Sequence, residues 1–146
     1  MTARTKSEHV GGEDGYTLTE MLVVIAIIGL IAAVLTPSLM GQLGRSRVKA
    51  AELQLDSVAA AVETFHSDLG RYPTQEEGLQ ALFAAPSGEE AWIGPYVRSA
   101  KTLNDPWGQA LIYRLEDEGQ AFEIVSYGAD RKEGGSGLKR DLHRPE

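Results

Sequence analysis

Cysteine is absent from all 146 residues, which removes disulfide scaffolds, thiolate-ligated zinc or iron–sulfur centres and thiol nucleophiles together. Histidine is nearly as scarce. His9, His66 and His143 are scattered without an i, i+4 pair, leaving little material for a histidine-based metal or catalytic centre. Cationic excess is missing too: 14 Lys and Arg stand against 21 Asp and Glu, a net charge of −7, so nucleic acid is not an expected partner. There is no Gly-rich phosphate loop. Thr64, His66, Asp68 and the acids at 116–118 do not compose a nucleophile, base and orienting group, so the chain reads as a non-enzyme. The composition, 42% hydrophobic and 24% charged, is that of a folded protein, and the length suits one modest domain with an extension.

What is abundant is unevenly placed. Residues 1–15 are polar and glycine-bearing, with no helix or strand period, and read as a disordered leader. Met21 to Leu35 is then fifteen residues without one polar side chain. Counted from Tyr16, the segment would be roughly 30 Å long as a helix, enough to span a bilayer core. A buried core helix would leave too much apolar surface for so small a domain to cover. A signal peptide would want a cationic flank and a small-residue cleavage site; here Glu13, Asp14 and Glu20 precede the run and Pro37 comes after it. The remaining reading is a membrane helix that continues into a longer one, and the residues beyond Pro37 favour it.

From Val48 the apolar positions are Val48, Ala51, Leu55, Val58, Val62, Phe65 and Leu69, in alternating steps of 3 and 4, a one-faced helical stripe. Pro37 is expected to kink this helix without ending it, Gly41 and Gly44 to weaken it, and Gly70 to stop it. A helix from Tyr16 to Leu69 would be on the order of 80 Å long, too long for its domain, and must protrude. Docking of the stripe on a sheet of the same chain is favoured over a coiled coil.

The second half reads as a small α+β head. Thr74 and Glu77 form a capping-box pattern before a short helix around Glu76–Ala84. Asp105-Pro106-Trp107-Gly108 fits a type I turn. Ala110–Leu115 and Ala121–Tyr127 read as two strands joined through Gly119, with Phe122, Ile124 and Ser126 on one face. Beyond Gly128 the chain is rich in glycine and charge and is expected to be irregular and exposed. His66, Trp92 and Trp107 read as packing residues.

The junction Gly15-Tyr16-Thr17-Leu18-Thr19-Glu20, feeding an apolar run with Pro37 beyond, resembles the leader and processing site of the type IV pilin-like superfamily. Arg71-Tyr72-Pro73-Thr74, Glu77-Gly78-Leu79, Gly94-Pro95-Tyr96, Asp105–Gly108 and Ser126-Tyr127-Gly128-Ala129-Asp130 are similar, in this order, to the major pseudopilins of type II secretion systems, and the resemblance covers residues 15 to 141. It implies a pilin-like α+β fold in which a long N-terminal helix, membrane half plus amphipathic half, packs on a small antiparallel sheet. It implies three parts: a cleaved leader, 1–15; a membrane and filament-core helix, 16–40; and a periplasmic head, 41–146.

The function implied is that of a structural subunit of a helical filament that drives export of folded proteins across the outer membrane. Prepilin peptidase would cut between Gly15 and Tyr16, and Tyr16 would be N-methylated. Glu20 would pair with the terminal amine of a neighbouring copy, and Pro37 would belong to the assembly helix. Further partners implied are minor pseudopilins, an inner-membrane assembly platform with its ATPase, and inner-membrane lipid around a single pass. Calcium is implied in the loop after the last strand, with Asp130 and Asp141 as ligands and backbone carbonyls near Tyr127 and Lys132 contributing.

Several residues depart from the pattern. Arg131 stands where glycine is usual, Lys139 and Arg140 crowd Asp141 with positive charge, and Arg45, Arg47 and Lys49 outnumber Arg4 and Lys6, against the positive-inside rule for a cytoplasmic leader. The rival readings are a type IV pilus subunit, many of which close a C-terminal loop with a disulfide this chain cannot make, and a membrane-anchored periplasmic binding or enzyme domain.

Overall fold

One helix, α1, runs from Leu18 to Leu69 without a break in the computed structural model, which describes residues 15–145. The leader, but for Gly15, lies outside the described residues. The start of α1 is fixed by Thr17, whose Oγ1 accepts from Glu20 N–H at 3.1 Å while its carbonyl accepts from Met21 N–H. That satisfies two amides that a helix end otherwise leaves open. Pro37 sits inside the helix. Just before it, Thr36 Oγ1 bonds back to the Ala32 carbonyl at 2.6 Å, one residue short of the Ala33 carbonyl that the proline leaves without its donor. The helix ends where expected, at Leu69, with Gly70 N–H closing on the His66 carbonyl.

The chain divides into two compact units between Met40 and Gly41. In the first, every described residue from Gly15 to Met40 is exposed. In the second, Val48, Ala51, Leu55, Val58, Val62 and Phe65 are buried and Leu69 packs on them, so the 3–4 stripe is the core face; Ala61 joins it. Gly44 lies under the Leu138 side chain, and a Cβ there would be 2.8 Å from Leu138 Cδ1. The glycine leaves room for that contact.

Against this face lies a three-stranded antiparallel sheet in the order β1 (Ile112–Glu116), β2 (Ala121–Ser126), β3 (Leu142–Arg144). Tyr113 faces Ile124 and Leu115 faces Phe122 across β1 and β2, and Ser126 faces Leu142 across β2 and β3. This matches the expected architecture of a long helix with a small antiparallel sheet. Two local expectations fail. The tail is not irregular throughout, because Leu142–Arg144 pairs with β2, buries Leu142 and carries Arg144 to Asp56 of α1 at 2.5 Å. The helix expected over Glu76–Ala84 is only a 3₁₀ turn, Gly78–Leu82. Gly78 takes φ +54°, a left-handed conformation that breaks a continuous α-helix at that point.

The Thr74–Glu77 box does form, with Glu77 N–H to Thr74 Oγ1 at 3.2 Å and Thr74 N–H to Glu77 Oε2 at 2.8 Å. Gln75 reaches across to β1, donating to the Tyr113 carbonyl and accepting from Leu115 N–H, both at 2.9 Å. The outer edge of β1 is thereby partly occupied.

Arg71 closes the same corner, with two nitrogens on the Glu77 carboxylate at 2.8 and 3.0 Å and one on Glu89 at 2.6 Å. Hydrogen bonding from Arg71 holds the Glu77 carboxyl below the usual carboxylate value. Burial pushes Glu123 up, but hydrogen bonds from His143 and Arg114 outweigh it and leave that carboxyl low as well. The unfolded chain therefore takes up protons at a higher pH than the folded one. The stability these acids contribute is complete above the unfolded value near 4.5 and is lost as pH falls below it. Thermal melts of the full chain in detergent should show a midpoint that drops steeply below pH 4.5, and Glu77→Gln should flatten that drop. A variant that parallels the parent across the acid range would overturn this assignment.

Candidate functional site

Two regions carry the sequence-derived residues. The first is the start of α1. Thr17-Leu18-Thr19-Glu20 is itself a capping-box sequence, and a complete box would return the Glu20 carboxylate to the Thr17 amide. Only the Thr17 half is made. Among the described residues the Glu20 carboxylate accepts no hydrogen bond and pairs with no cation, and it is the sole charge between Tyr16 and Gly44. Among the described residues, α1 is also the one helix long and apolar enough to cross a membrane, and none of that apolar stretch is buried in the protein. Burial in a core is therefore excluded for it. Gly15 and Tyr16 lie just before the helix, both exposed, and Pro37 lies within its exposed half.

The second region is the loop between β2 and β3. Its entry is set by Gly128, whose φ of +66° and close approach to the Arg140 carbonyl (2.8 Å from where a Cβ would stand) admit no side chain without strain. Asp130 comes next in a short 3₁₀ turn and accepts from Lys132 N–H at 3.3 Å. Arg131, at the position where glycine is usual, is left-handed at φ 62°, which costs an L-residue about 1–2 kcal/mol. Its guanidinium donates to the Trp107 carbonyl at 3.1 Å.

The Asp130 and Asp141 carboxylates meet adjoining residues of this loop. Asp141 Oδ2 accepts from Gly134 N–H at 2.8 Å, and Asp130 Oδ2 lies 3.4 Å from where a Cβ on Gly135 would stand. The Lys139 carbonyl crowds that same point, a backbone oxygen that sequence reasoning missed and that no local pattern announces. Asp141 Oδ1 is buried with no hydrogen-bond partner. A buried carboxylate oxygen left unpaired is costly unless a cation or donor completes it. Tyr127 and Lys132 flank the turn, and their carbonyls belong to its backbone. Among the described residues no three acidic or histidine side chains converge, so a hard cation here would draw largely on backbone carbonyls.

One nearby cation is engaged elsewhere. Arg140 pairs with Glu52 of α1 at 2.7 Å, where Lys49 also binds at 3.3 Å, so its charge is directed at the helix. The hydrogen bond from Lys49, with Arg140 adding to it, keeps the Glu52 carboxyl low. His143 Nδ1 lies 2.7 Å from Glu123, which also takes Arg114 at 3.0 Å. None of the residues that could suggest catalysis is assembled for it: His66 stacks on the Tyr72 ring at 4.2 Å and Thr64 bonds back to the Ala60 carbonyl.

A family model described as type II secretion system (T2SS), protein G matches residues 38–145, and one described as a prokaryotic N-terminal methylation motif matches residues 12–36. The chain belongs to the type II secretion system protein G family. Type II secretion system core protein G of Xanthomonas campestris pv. campestris is 34% identical over 94% of this chain and 94% of its own length, and that of Pseudomonas aeruginosa is 34% identical over 89% and 93%. The crystal structure of the major pseudopilin from the type 2 secretion system of enterohaemorrhagic Escherichia coli aligns with a TM-score of 0.52 at 27% identity, covering 74% of this chain and 94% of that one. As a member of that family the chain is a structural subunit that self-assembles into a pseudopilus, and it is not an enzyme. Its apolar N-terminal helix is its membrane anchor.

Proposed function

We propose that this pseudopilin enters the inner membrane as a precursor, is cut by prepilin peptidase between Gly15 and Tyr16, and is N-methylated on Tyr16. Residues 16–40 then hold it as a single pass, with the head of residues 41–146 in the periplasm. An assembly platform and its ATPase lift it from the bilayer into a filament begun with minor pseudopilins. The lengthening filament pushes folded proteins across the outer membrane.

The observation that carries this reading is the Glu20 carboxylate, unpartnered among the described residues, at the head of the exposed apolar half of α1. A carboxylate at membrane depth is stabilised by a cation, and cleavage after Gly15 creates an amine on Tyr16 that a neighbouring copy can bring to it. Head-to-tail contacts whose rotation does not close would generate an open helix. Mass spectrometry of the chain recovered from membranes tests the reading. The expected mature protein begins at a methylated Tyr16. A chain that still begins at Met1 would make it a plain anchor, and one that begins beyond Leu35 a secreted protein; either result overturns the proposal.

The loop between β2 and β3 is read as a calcium site. The buried, unpaired Asp141 oxygen and the all-oxygen donor set support that reading. Asp130 and Asp141 would hold the ion with carbonyls near Tyr127 and Lys132, and the Lys139 carbonyl is at hand. When bound, calcium supplies the positive charge that the two carboxylates lack. The chain's own part is to keep those carboxylates against Gly134 and Gly135 and to turn Arg140 away toward Glu52.

A further inference from the structure

The Asp105-Pro106-Trp107-Gly108 turn uses less of Asp105 than the side chain offers. The turn closes through Gly108 N–H to the Asp105 carbonyl at 2.9 Å, and Asp105 Oδ1 alone serves its interior, accepting from Trp107 N–H at 3.0 Å and Gln109 N–H at 2.8 Å. The second oxygen, Oδ2, does nothing for the turn. It accepts a 2.7 Å hydrogen bond from Ser126 Oγ, twenty-one residues away in sequence at the end of β2. Among the described residues, Asp105 and Ser126 are the buried polar side chains of the head, exposed by 6% and 2%. Groups so buried are kept where their hydrogen bonds are complete, and here they are.

The Ser126 hydroxyl passes the connection on. Its oxygen accepts from Gly128 N–H at 3.2 Å, at the residue whose left-handed backbone begins the Asp130 loop. The same turn holds the loop a second time, because the Trp107 carbonyl accepts from Arg131. Asp130 therefore lies between two residues, Gly128 and Arg131, that are both tied back to Asp105–Gly108. A turn needed only to reverse the chain would require neither tie.

We propose that Asp105, acting through the Ser126 hydroxyl, is a positioning residue for the Asp130 loop, fixing where the chain leaves β2 and hence where the Asp130 carboxylate and neighbouring carbonyls present oxygen to a divalent cation. This rests on the calcium reading of that loop. The link resembles the outer-shell hydrogen bonds that orient metal ligands elsewhere, whose loss costs about 10–100-fold in metal affinity.

Two variants cut or weaken the link from opposite ends while sparing the turn. Ser126→Ala removes only the hydroxyl. Asp105→Asn keeps the Oδ1 acceptor for Trp107 and Gln109 but puts a donor NH2 where Ser126 donates, so the charge-assisted bond is lost and any contact that remains is reversed and weaker. Calcium chloride is titrated calorimetrically into the full chain in detergent, with folding checked by circular dichroism and Gly128 amide exchange read in the metal-free state. Each variant should bind calcium at least about tenfold more weakly, and the double variant no more weakly than either single one, because both act on one connection. Gly128 should exchange faster in both. A global loss of stability would leave the affinity of the folded molecules unmoved.

Parent protein that binds no calcium at millimolar concentration overturns the metal reading and this proposal together. Calcium bound by the parent and equally well by both variants overturns the positioning role alone, as do singles whose losses add in the double variant. Loss of the folded head in both variants would make the pair a stability element and overturn the positioning role too.

Discussion

Glu20→Ala is expected to leave the chain in the membrane and to abolish filament growth. Insertion loses nothing, since the substitution removes a charge from an otherwise apolar segment and a charge near mid-bilayer costs about 2.5–3.5 kcal/mol on insertion scales. Assembly loses the partner that a neighbour's terminal amine would meet. Removing one member of a buried, paired charge costs about 3–5 kcal/mol, a factor of roughly 150 to 4,000 in each addition step, and the loss recurs at every subunit. Glu20→Gln keeps the shape, lacks the charge and should behave alike. Membrane fractionation reads the first half of this expectation, and electron microscopy of sheared filaments with an export assay reads the second. Filaments of normal length, or undiminished export, would sink the pairing role of Glu20.

The largest effect on stability is expected at Phe65. It is wholly buried on the core face of α1, its ring meets Tyr96 edge-on at 5.6 Å, and the Arg71 guanidinium lies 5.6 Å above it. Truncation removes three things at once: the buried area, the ring contact and the seat of Arg71, which also holds Glu77 and Glu89. Phe65→Ala should cost about 3–5 kcal/mol, seen as a lowered urea midpoint with the slope unchanged. Leu53→Ala, on the exposed side of the same helix, should fall within about 0.5 kcal/mol of the parent. A Phe65→Ala chain that unfolds within about 1 kcal/mol of the parent would mean that the stripe is not the core.

The stripe from Val48 to Leu69 was legible because a helix writes its buried face into the chain every three or four residues, and nothing distant had to be known. Thr74 and Glu77 were legible for the same reason, since both halves of a capping box lie within one turn. The turn at Asp105 could be recognised from its four residues, but the use of its second oxygen could not, because Ser126 becomes its neighbour only after β2 has formed. The same holds for β3. Leu142-His143-Arg144 has no alternation to declare a strand, and its place depends on β2 for hydrogen bonds and on Asp56 and Glu123 for charge. Lys139 and Arg140 looked hostile to a cation in the sequence; Glu52, 88 residues before Arg140, redirects the latter. At Gly78 a single left-handed residue overruled a helical pattern. Asp130 and Asp141 could be named from resemblance, but the Lys139 carbonyl beside them is a main-chain atom and carries no signature.

The sheet ends on both sides in blunted edges: Gln75 occupies backbone groups of β1, and β3 is three residues long, two of them the charged or titratable His143 and Arg144. Heads crowded side by side thus find little open backbone on which to add strands, the route by which stacked chains become permanent cross-β fibres. Cohesion between heads is left to side-chain surfaces, with no shared backbone ladder to lock one head to the next.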